Sequence, residues 1–154
     1  ITNWAVGGAK ANMGIGQGEV LATPLQVINS VNYIVNKGFA YTPHLVKDKK
    51  VEKKTIELDS YVWTFLDNAI YNAVKYGTCK KANILDKDAI IRGKTGTAQN
   101  PQGEDHSWFA GYLVKDDIPI LSLAILVEHG GKGSIEAASI SHKIFKYAQE
   151  NITL

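Results

Sequence analysis

The sequence predicts an α+β fold in which helices cover an antiparallel sheet. Three segments carry apolar residues at helical spacing, three others have the apolar and β-branched content of strands, and the last two strand segments are separated by a turn short enough for a hairpin. The predicted order is helix, helix, three antiparallel strands, helix, without an internal repeat. With 154 residues, 45% hydrophobic and 21% charged, the chain can form one domain with a real core.

The first predicted helix begins at Pro24, with Thr23 as its N-cap. Pro24 suits the first helical position because the N–H that proline lacks has no helical partner there. Gly38 is predicted to stop the helix after Lys37. The segment MGIGQG at residues 13–18 is predicted to form a tight turn that leads into this helix.

Two further helices are predicted, one before and one after the strands. Asp59 begins SYVWTFLDNAIYNAVKY, and Gly77 stops it. SIEAASISHKIFKYAQE closes the chain as a helix with Ser134 as its cap. Between the first two helices, YTPHLV is predicted to be extended because Pro43 disfavours helix before it, and residues 47–54 are predicted to be a solvated connector.

The three predicted strands follow one another. They are AIIRGKTGTAQ at residues 89–99, SWFAGYLV at 107–114 and IPILSLAILVE at 118–128, with residues 115–117 as the hairpin turn. The third strand is apolar on both faces, which is typical of a strand covered on both sides. We therefore expect it to lie deep in the sheet.

Composition excludes several classes of function. The net charge of +2, without a basic block interleaved with aromatic residues, argues against nucleic acid as a partner. Cys79 is the only cysteine, which excludes an internal disulfide and a cysteine-based zinc site. No metal or other cofactor is predicted, because metal-ligand spacing is absent from the histidines, which are His44, His106, His129 and His142. No secretion signal and no apolar run of 18 residues occurs.

The stretch IIRGKTGTAQ at residues 90–99 is the strongest candidate for a functional site. An apolar run ends in the tetrapeptide KTGT, residues 94–97. A phosphate loop is not predicted, because Asp88 stands where that motif needs its first glycine and the segment continues as a strand. GIGQG lacks the dinucleotide-binding spacing and follows no strand, so that function is excluded too.

The KTGT residues fit the binding of an extended peptide that ends in a carboxylate. Period two places the hydroxyls of Thr95 and Thr97 on one face of the strand, and Gly96 removes bulk between them. The backbone of a ligand can then lie along the strand edge. The alternative is that Lys94 is a strand-end lysine that only reaches solvent, and the residue types leave both interpretations open.

Four segments together resemble one family. KTGTAQ, with GIGQGEVLATPLQ upstream and DHSWFAGY and EHGGKG downstream, is similar to the C-terminal half of the transpeptidase domain of class B penicillin-binding proteins. The run from Glu128 to Gly131 is most similar to the elongation type, called penicillin-binding protein 2, which typically has asparagine where this chain has His129. The resemblance covers nearly all of residues 1–154 and implies three of about five strands of the β-lactamase/transpeptidase-like fold.

The resemblance implies a peptidoglycan D,D-transpeptidase. In that family a serine attacks the carbonyl between two terminal D-alanines of a stem peptide, and an amine from a neighbouring strand then resolves the acyl-enzyme into a cross-link; β-lactams acylate the same serine. By similarity, Lys94 would supply positive potential and tune proton transfer. The hydroxyls of Thr95 and Thr97 would bind the substrate carboxylate, the Thr97 N–H would be one oxyanion-hole donor, and Gly96 would let the substrate lie along the strand.

Residues around the tetrapeptide complete the predicted site. Ala98 and Gln99 extend the substrate-binding strand. Asp105, His106 and Trp108 are predicted to order the mouth of the loop beside Lys94.

The family's nucleophile motif, Ser-x-x-Lys, is missing from the chain. Ser139 and Ser141 are the candidates, and neither has lysine three residues on. Ser30 and Asn32 match the second family motif, Ser-x-Asn, but they lie within a predicted helix and after the GQG segment, so we interpret the match as coincidence. We expect the nucleophile and two further strands to lie upstream of Ile1, and the 154-residue chain alone to be inactive.

The resemblance also implies partners and a location. The partners are the D-Ala-D-Ala stem peptide, β-lactam antibiotics, the upstream half of the same protein and the cell-elongation machinery. The parent protein would act in the periplasm, at the extracytoplasmic face of the inner membrane, held by an N-terminal helix outside this chain. The alternatives are a non-catalytic peptidoglycan- or peptide-binding module and a β-lactam-hydrolysing or β-lactam-sensing relative.

Overall fold

The computed structural model describes residues 3–86 and 88–152 and confirms the predicted α+β fold class. A two-stranded and a three-stranded sheet are combined with helices in this part of the chain. The elements are α1 (Asn3–Gly14), α2 (Pro24–Val35), β1 (Phe39–Tyr41), β2 (Lys53–Thr55), α3 (Ser60–Lys75), a 3₁₀ turn (Lys80–Ala82), β3 (Ala89–Ala98), β4 (His106–Lys115), β5 (Ile118–Val127) and α4 (Glu136–Asn151).

The three-stranded antiparallel sheet, in the order β3-β4-β5, forms the centre of the fold. All three strands lie within one residue of their predicted bounds. A two-residue turn joins β4 to β5, and its residues Asp116 and Asp117 have φ angles of 50° and 63°. Two consecutive left-handed residues are typical of a type I′ turn, whose twist matches that of the strands it joins. In the β3–β4 register, Lys94 lies opposite Ala110.

Helices pack on both faces of this sheet. α4 covers one face, where the ring of Phe145 meets that of Phe109 edge-on with 5.9 Å between centroids and Ile125 joins the same core. α2 lies on the opposite face, where Ser122 donates a hydrogen bond to Asn32 at 2.7 Å. α3 packs beside β3. Alternate residues of each strand therefore meet different helices.

β5 is less covered than its apolar sequence predicts. The expectation of a strand buried deep in the sheet is wrong, because Ile118 is 52% exposed and Ile125 is the one residue of β5 that is buried. β4 pairs with one edge of β5, and within residues 3–86 and 88–152 no strand pairs with the other. An apolar sequence shows that a strand can be buried, but the extent of burial depends on which elements pack against it.

Thr23 caps α2 as predicted. Its hydroxyl accepts the Gln26 backbone N–H at 3.2 Å, and the Gln26 side chain accepts the Thr23 backbone N–H at 2.8 Å, which together form a capping box. α2 ends at Val35 rather than at Lys37. The reason is that Lys37 and Gly38 have φ angles of 53° and 113°, which a right-handed helix excludes.

The start of α4 differs from the prediction. Its first helical residue is Glu136, and Ser134 is not the cap. Ser107, buried in β4, accepts the N–H of Ala137 at 3.0 Å and donates its hydroxyl to the Lys132 carbonyl at 3.2 Å. A residue of a neighbouring strand thus satisfies the helix terminus, which a search for local capping residues does not detect.

The sequence pattern does not predict α1 or the β1–β2 hairpin. α1 has no apolar stripe, and its side chains from residue 7 onward are exposed. Residues 47–54 are not entirely a connector, because Lys53 and Lys54 belong to β2 and the Lys53 Nζ lies 3.9 Å from the ring centroid of Phe39. Across the described residues, no helix has both the length and the apolar character needed to cross a bilayer.

Candidate functional site

The KTGT tetrapeptide lies near the carboxyl end of β3, at an edge of the central sheet. β4 pairs with one side of β3, and the other side carries no strand in the described part of the chain. Lys94, Gly96 and Thr97 are exposed, whereas Thr95 is only 8% exposed. The structure therefore brings these residues to an open strand edge, which is the geometry that addition of a peptide strand requires.

Thr95 directs its backbone N–H toward this open edge. The N–H donates to Sγ of Cys79 at 3.1 Å, and the Thr95 carbonyl accepts a hydrogen bond from Nζ of Lys94 at 2.7 Å. Cys79 is fully buried just before the 3₁₀ turn. The ammonium group of Lys94 is thus held beside the strand, within reach of a ligand bound along it.

Thr97 and Gln99 present the next backbone groups of the same edge. The Thr97 carbonyl accepts from Nε2 of Gln17 at 3.0 Å, and the Gln99 N–H donates to Oε1 of Gln17 at 3.4 Å. Ala98, between them, is half-buried. Because the N–H and C=O of a strand residue point to the same side, the Thr97 N–H faces this edge too. Within the described residues, no side chain or loop carbonyl accepts it.

The two threonine hydroxyls have different surroundings. The Thr95 hydroxyl lies 3.1 Å from that of Thr78 and 3.5 Å from Sγ of Cys79, inside the fold. The Thr97 hydroxyl is exposed at the strand end, accepts the Gly133 N–H at 3.2 Å and keeps its own hydrogen to donate. A ligand carboxylate at Thr95 must compete with these internal partners, so that role of Thr95 stays a prediction.

Two loops meet beyond the end of β3. The Asn100 N–H donates to the carboxylate of Asp105 at 3.3 Å, and the Gly131 N–H donates to the Asp105 carbonyl at 2.8 Å. Nδ1 of His106 accepts the His129 backbone N–H at 3.0 Å, and the two imidazole rings lie edge to face with centroids 5.1 Å apart. Asp105 and His106 therefore connect the loop after β3 to the loop after β5.

Trp108 and Gly133 lie close to Gly96. Trp108 lies opposite Gly96 on β4, and a Cβ placed on Gly96 would lie 3.3 Å from the Trp108 Cβ. A Cβ placed on Gly133 would overlap the Gly96 carbonyl oxygen and would lie 2.8 Å from the Trp108 carbonyl oxygen. The backbone of the loop after β5 therefore lies in close contact with the site strand. The sequence does not predict this contact; the glycines of the loop are the one sequence feature that could have indicated it.

The sequence also does not predict a polar network around Arg92. Arg92 precedes Lys94 by two residues, so the two side chains lie on the same face of β3. Nη1 of Arg92 pairs with Oδ2 of Asp67 on α3 at 2.9 Å, and the guanidinium lies 5.0 Å from the ring centroid of Tyr71. Tyr112, opposite Arg92 on β4, donates its hydroxyl to Oδ1 of Asp67. Burial and this hydrogen bond raise the pKa of Tyr112 well above its usual range, so the phenol remains a donor.

We expect Asp67→Ala to lower the free energy of unfolding by about 2 kcal/mol, because one half-buried carboxylate serves two partners. Arg92→Ala should cost less, since it leaves the bond between Tyr112 and Asp67 in place. Urea denaturation measures both losses. The control is Asp48→Ala, at an exposed aspartate whose side chain makes no hydrogen bond to the described residues. Equal losses for Asp67→Ala and Asp48→Ala would contradict the importance of this network.

The serines considered as nucleophiles lie in helices. Ser139 and Ser141 each donate the hydroxyl to the carbonyl four residues earlier, at 2.6 and 2.7 Å. Ser30, which matches the second family motif, is also helical and donates to the Val27 carbonyl at 2.6 Å. Asn32, two residues after Ser30, accepts from Ser122 on β5 rather than lying at the open edge of β3. The described residues contain no group of three or more side chains suited to hold a metal ion.

A sequence model of one protein family, the penicillin binding protein transpeptidase domain, matches residues 1–146. The chain belongs to this family. The match covers the open edge of β3, the GQG segment and the two loops that meet beyond β3. It confirms the resemblance that the four sequence segments indicate.

Curated relatives of this transpeptidase domain are much longer than the chain. The peptidoglycan D,D-transpeptidase MrdA of Haemophilus influenzae is 33% identical over 92% of this chain and 26% of the relative. The protein of the same name from Acinetobacter baumannii is 27% identical over 91% of this chain and 24% of the relative. The chain thus spans about a quarter of the length of these relatives.

Solved structures share the fold of this transpeptidase domain. Penicillin-binding protein 2 of Pseudomonas aeruginosa, in complex with WCK 5153, has a TM-score of 0.76 at 28% identity, over 95% of this chain and 33% of its own. Penicillin-binding protein 2 of Helicobacter pylori, in complex with MreC, has a TM-score of 0.77 at 28% identity, over 90% of this chain and 26% of its own. Penicillin-binding protein A of Mycobacterium tuberculosis, as an imipenem acyl-enzyme, has a TM-score of 0.73 at 26% identity, over 89% of this chain and 33% of its own.

Proposed function

We propose that this chain supplies the substrate-binding strand of a peptidoglycan D,D-transpeptidase. The observation that carries the proposal is the open edge of β3, where the Thr97 N–H has no acceptor within the described residues and the ammonium of Lys94 lies beside the strand. A free backbone donor next to a cation suits both a developing oxyanion and a terminal carboxylate. Membership of the transpeptidase family supports this assignment.

In the proposed reaction, a stem peptide ending in D-Ala-D-Ala lies along β3 as an added strand. A serine oxygen attacks the carbonyl of the penultimate D-alanine, the terminal D-alanine leaves with a proton on its nitrogen, and an amine of a neighbouring stem peptide then displaces the serine. The Thr97 N–H stabilises the negative charge on the attacked carbonyl oxygen. Lys94 and the free hydrogen of the Thr97 hydroxyl hold the terminal carboxylate, and Gly96 leaves room for the peptide.

The nucleophilic serine is proposed to belong to another part of the parent protein, because no Ser-x-x-Lys occurs in these 154 residues. β-Lactams are proposed ligands of the same strand, supported by the imipenem acyl-enzyme of the M. tuberculosis relative. The complex of the H. pylori relative with MreC supports a partner in cell elongation. We place the activity of the parent on the extracytoplasmic side of the membrane, where peptidoglycan is cross-linked.

Labelling with a fluorescent penicillin tests the proposed function. We expect no covalent label on the 154-residue chain alone, because it lacks Ser-x-x-Lys. Addition of the separately produced half of the parent that carries Ser-x-x-Lys should restore labelling, on the serine of that half. Gel fluorescence measures the label, and mass spectrometry locates it.

The control is the Ser-x-x-Lys half alone, which lacks β3 and should stay unlabelled. A covalent label on the 154-residue chain alone would contradict the proposal, because the nucleophile would then lie within it. A chain that binds D-Ala-D-Ala peptides but never supports labelling of its other half would favour a non-catalytic peptide-binding module instead.

A further inference from the structure

Gln17, the middle residue of the GQG segment (residues 16–18), contacts the site strand with both the nitrogen and the oxygen of its side-chain amide. Nε2 donates to the Thr97 carbonyl at 3.0 Å, and Oε1 accepts the Gln99 N–H at 3.4 Å. These are the two backbone groups that follow the free Thr97 N–H along the open edge of β3. Gln17 is half-buried, in contrast to the exposed residues on either side of it.

A primary carboxamide offers the same donor and acceptor as a peptide group. Gln17 therefore makes, with Thr97 and Gln99, the hydrogen bonds that an added peptide strand would make. A peptide residue whose carbonyl accepts the Thr97 N–H must bring its own N–H to the Thr97 carbonyl, because residues paired in this way exchange both bonds. Nε2 of Gln17 occupies that position, so Gln17 and such a ligand compete for the Thr97 carbonyl.

The segment that carries Gln17 is weakly held by other contacts. Ile15 is 75% exposed and Leu21 is 93% exposed, so burial of these apolar side chains does not fix the segment to the sheet. Gly16 and Gly18, which flank Gln17, have φ angles of 74° and 81°, which glycine adopts without steric cost. Gln17 can therefore leave the strand edge at little more than the cost of its two hydrogen bonds.

We infer that Gln17 is an internal competitor of the peptide: it covers the edge of β3 when the site is empty and leaves the edge when a peptide binds. The inference rests on the proposed function of β3. It predicts that Gln17 weakens the binding of ligands that carry an N–H on the residue whose carbonyl meets the Thr97 N–H.

An NMR titration of the 154-residue chain with diacetyl-L-Lys-D-Ala-D-Ala, followed at the amides of Thr97 and Gln99, tests the inference. Gln17→Ala should tighten the Kd about three- to tenfold, because one to two hydrogen bonds of ordinary net strength no longer have to be broken. Gln17→Glu should also tighten it, because a carboxylate has no hydrogen to donate to the Thr97 carbonyl. Without peptide, hydrogen exchange at the Gln99 amide should be faster in Gln17→Ala.

Two controls isolate the competition. Gln102→Ala, at an exposed glutamine of the loop after β3, should leave the Kd unchanged. A peptide with D-lactate in place of the penultimate D-alanine cannot donate a hydrogen bond to the Thr97 carbonyl, so it should bind both the wild-type chain and Gln17→Ala more weakly than the D-alanine peptide does. Well-dispersed spectra show that each variant is folded.

The outcomes separate this inference from the proposed function. If the wild-type chain binds the peptide and Gln17→Ala binds it equally or more weakly, Gln17 positions the strand instead of competing for it, and the inference is overturned alone. If neither protein binds the peptide, the proposed function is overturned and the inference with it. A D-lactate analogue that binds as tightly as the D-alanine peptide would also overturn the inference, because the ligand would then not pair with the Thr97 carbonyl.

Discussion

Lys94→Ala is expected to slow acylation by penicillin on the order of 100-fold or more in the reconstituted protein, while it leaves stability nearly unchanged. Little packing is lost, because Lys94 is exposed and, among the described residues, its Nζ bonds only the adjacent Thr95 carbonyl. The removed group is a cation held at the strand edge where the carboxylate of the ligand is proposed to bind. Loss of one such preorganised electrostatic group typically costs two to three powers of ten, or ~100- to 1000-fold.

Time-resolved labelling of the two mixed halves measures this acylation rate, and urea denaturation of the 154-residue chain measures stability. Lys143→Ala is the matched control, because Lys143 is an exposed lysine on α4. Lys94→Arg keeps the charge but changes its shape and reach, so its rate distinguishes charge from geometry. An acylation rate of Lys94→Ala within a few-fold of the unmodified protein would remove Lys94 from the site.

The central strands are the part of the fold that the sequence predicts best. Their signals are local: β-branched and apolar residues within each strand, and the short turn at Asp116 and Asp117. The start of α2 is predictable for the same reason, since Thr23, Pro24 and Gln26 lie within four residues of one another. Helix ends and strand burial are less predictable, because each depends on groups supplied by other elements.

Contacts between distant residues explain what the sequence pattern misses. The hydroxyl of Ser107 accepts the N–H of Ala137, 30 residues later in the chain, and so caps the start of α4. Asp67 joins partners 25 and 45 residues away in the network beside Lys94. Gln17 reaches Thr97 across 80 residues. No spacing rule connects residues that only the tertiary fold brings together.

The candidate site shows the same division. The alternation of a strand correctly places the side chains of Thr95 and Thr97 on one side of β3. What covers that side is set by other segments: Thr78 and Cys79 enclose the Thr95 hydroxyl, whereas the Thr97 hydroxyl is exposed. The two-residue alternation of a strand therefore predicts the face on which each side chain lies. Which of the two hydroxyls is available to a ligand depends on how the chain after α3 packs against that face.

Gly133→Ala is expected to destabilise the chain by about 3 kcal/mol and to disorder the end of β3. The new methyl group would overlap the Gly96 carbonyl oxygen and lie 2.8 Å from the Trp108 carbonyl oxygen. Both neighbours are backbone atoms of paired strands, so no side-chain rotation relieves the overlap. The loop after β5 must move away from β3, which also breaks the hydrogen bond from the Gly133 N–H to the Thr97 hydroxyl.

Urea denaturation measures the loss of stability in Gly133→Ala, and the amide NMR signals of residues 94–99 report the position of the strand. Gly8→Ala is the matched control, because a Cβ at Gly8 meets no atom within 4 Å and alanine favours the helix by up to about 1 kcal/mol. We expect Gly8→Ala to leave the signals of residues 94–99 in place, whereas Gly133→Ala shifts or broadens them. In the reconstituted protein, Gly133→Ala should therefore also reduce penicillin labelling, because it displaces Gly96 and Thr97 together. A Gly133→Ala chain as stable as the wild type, with unshifted signals, would show that the loop after β5 does not support the site strand.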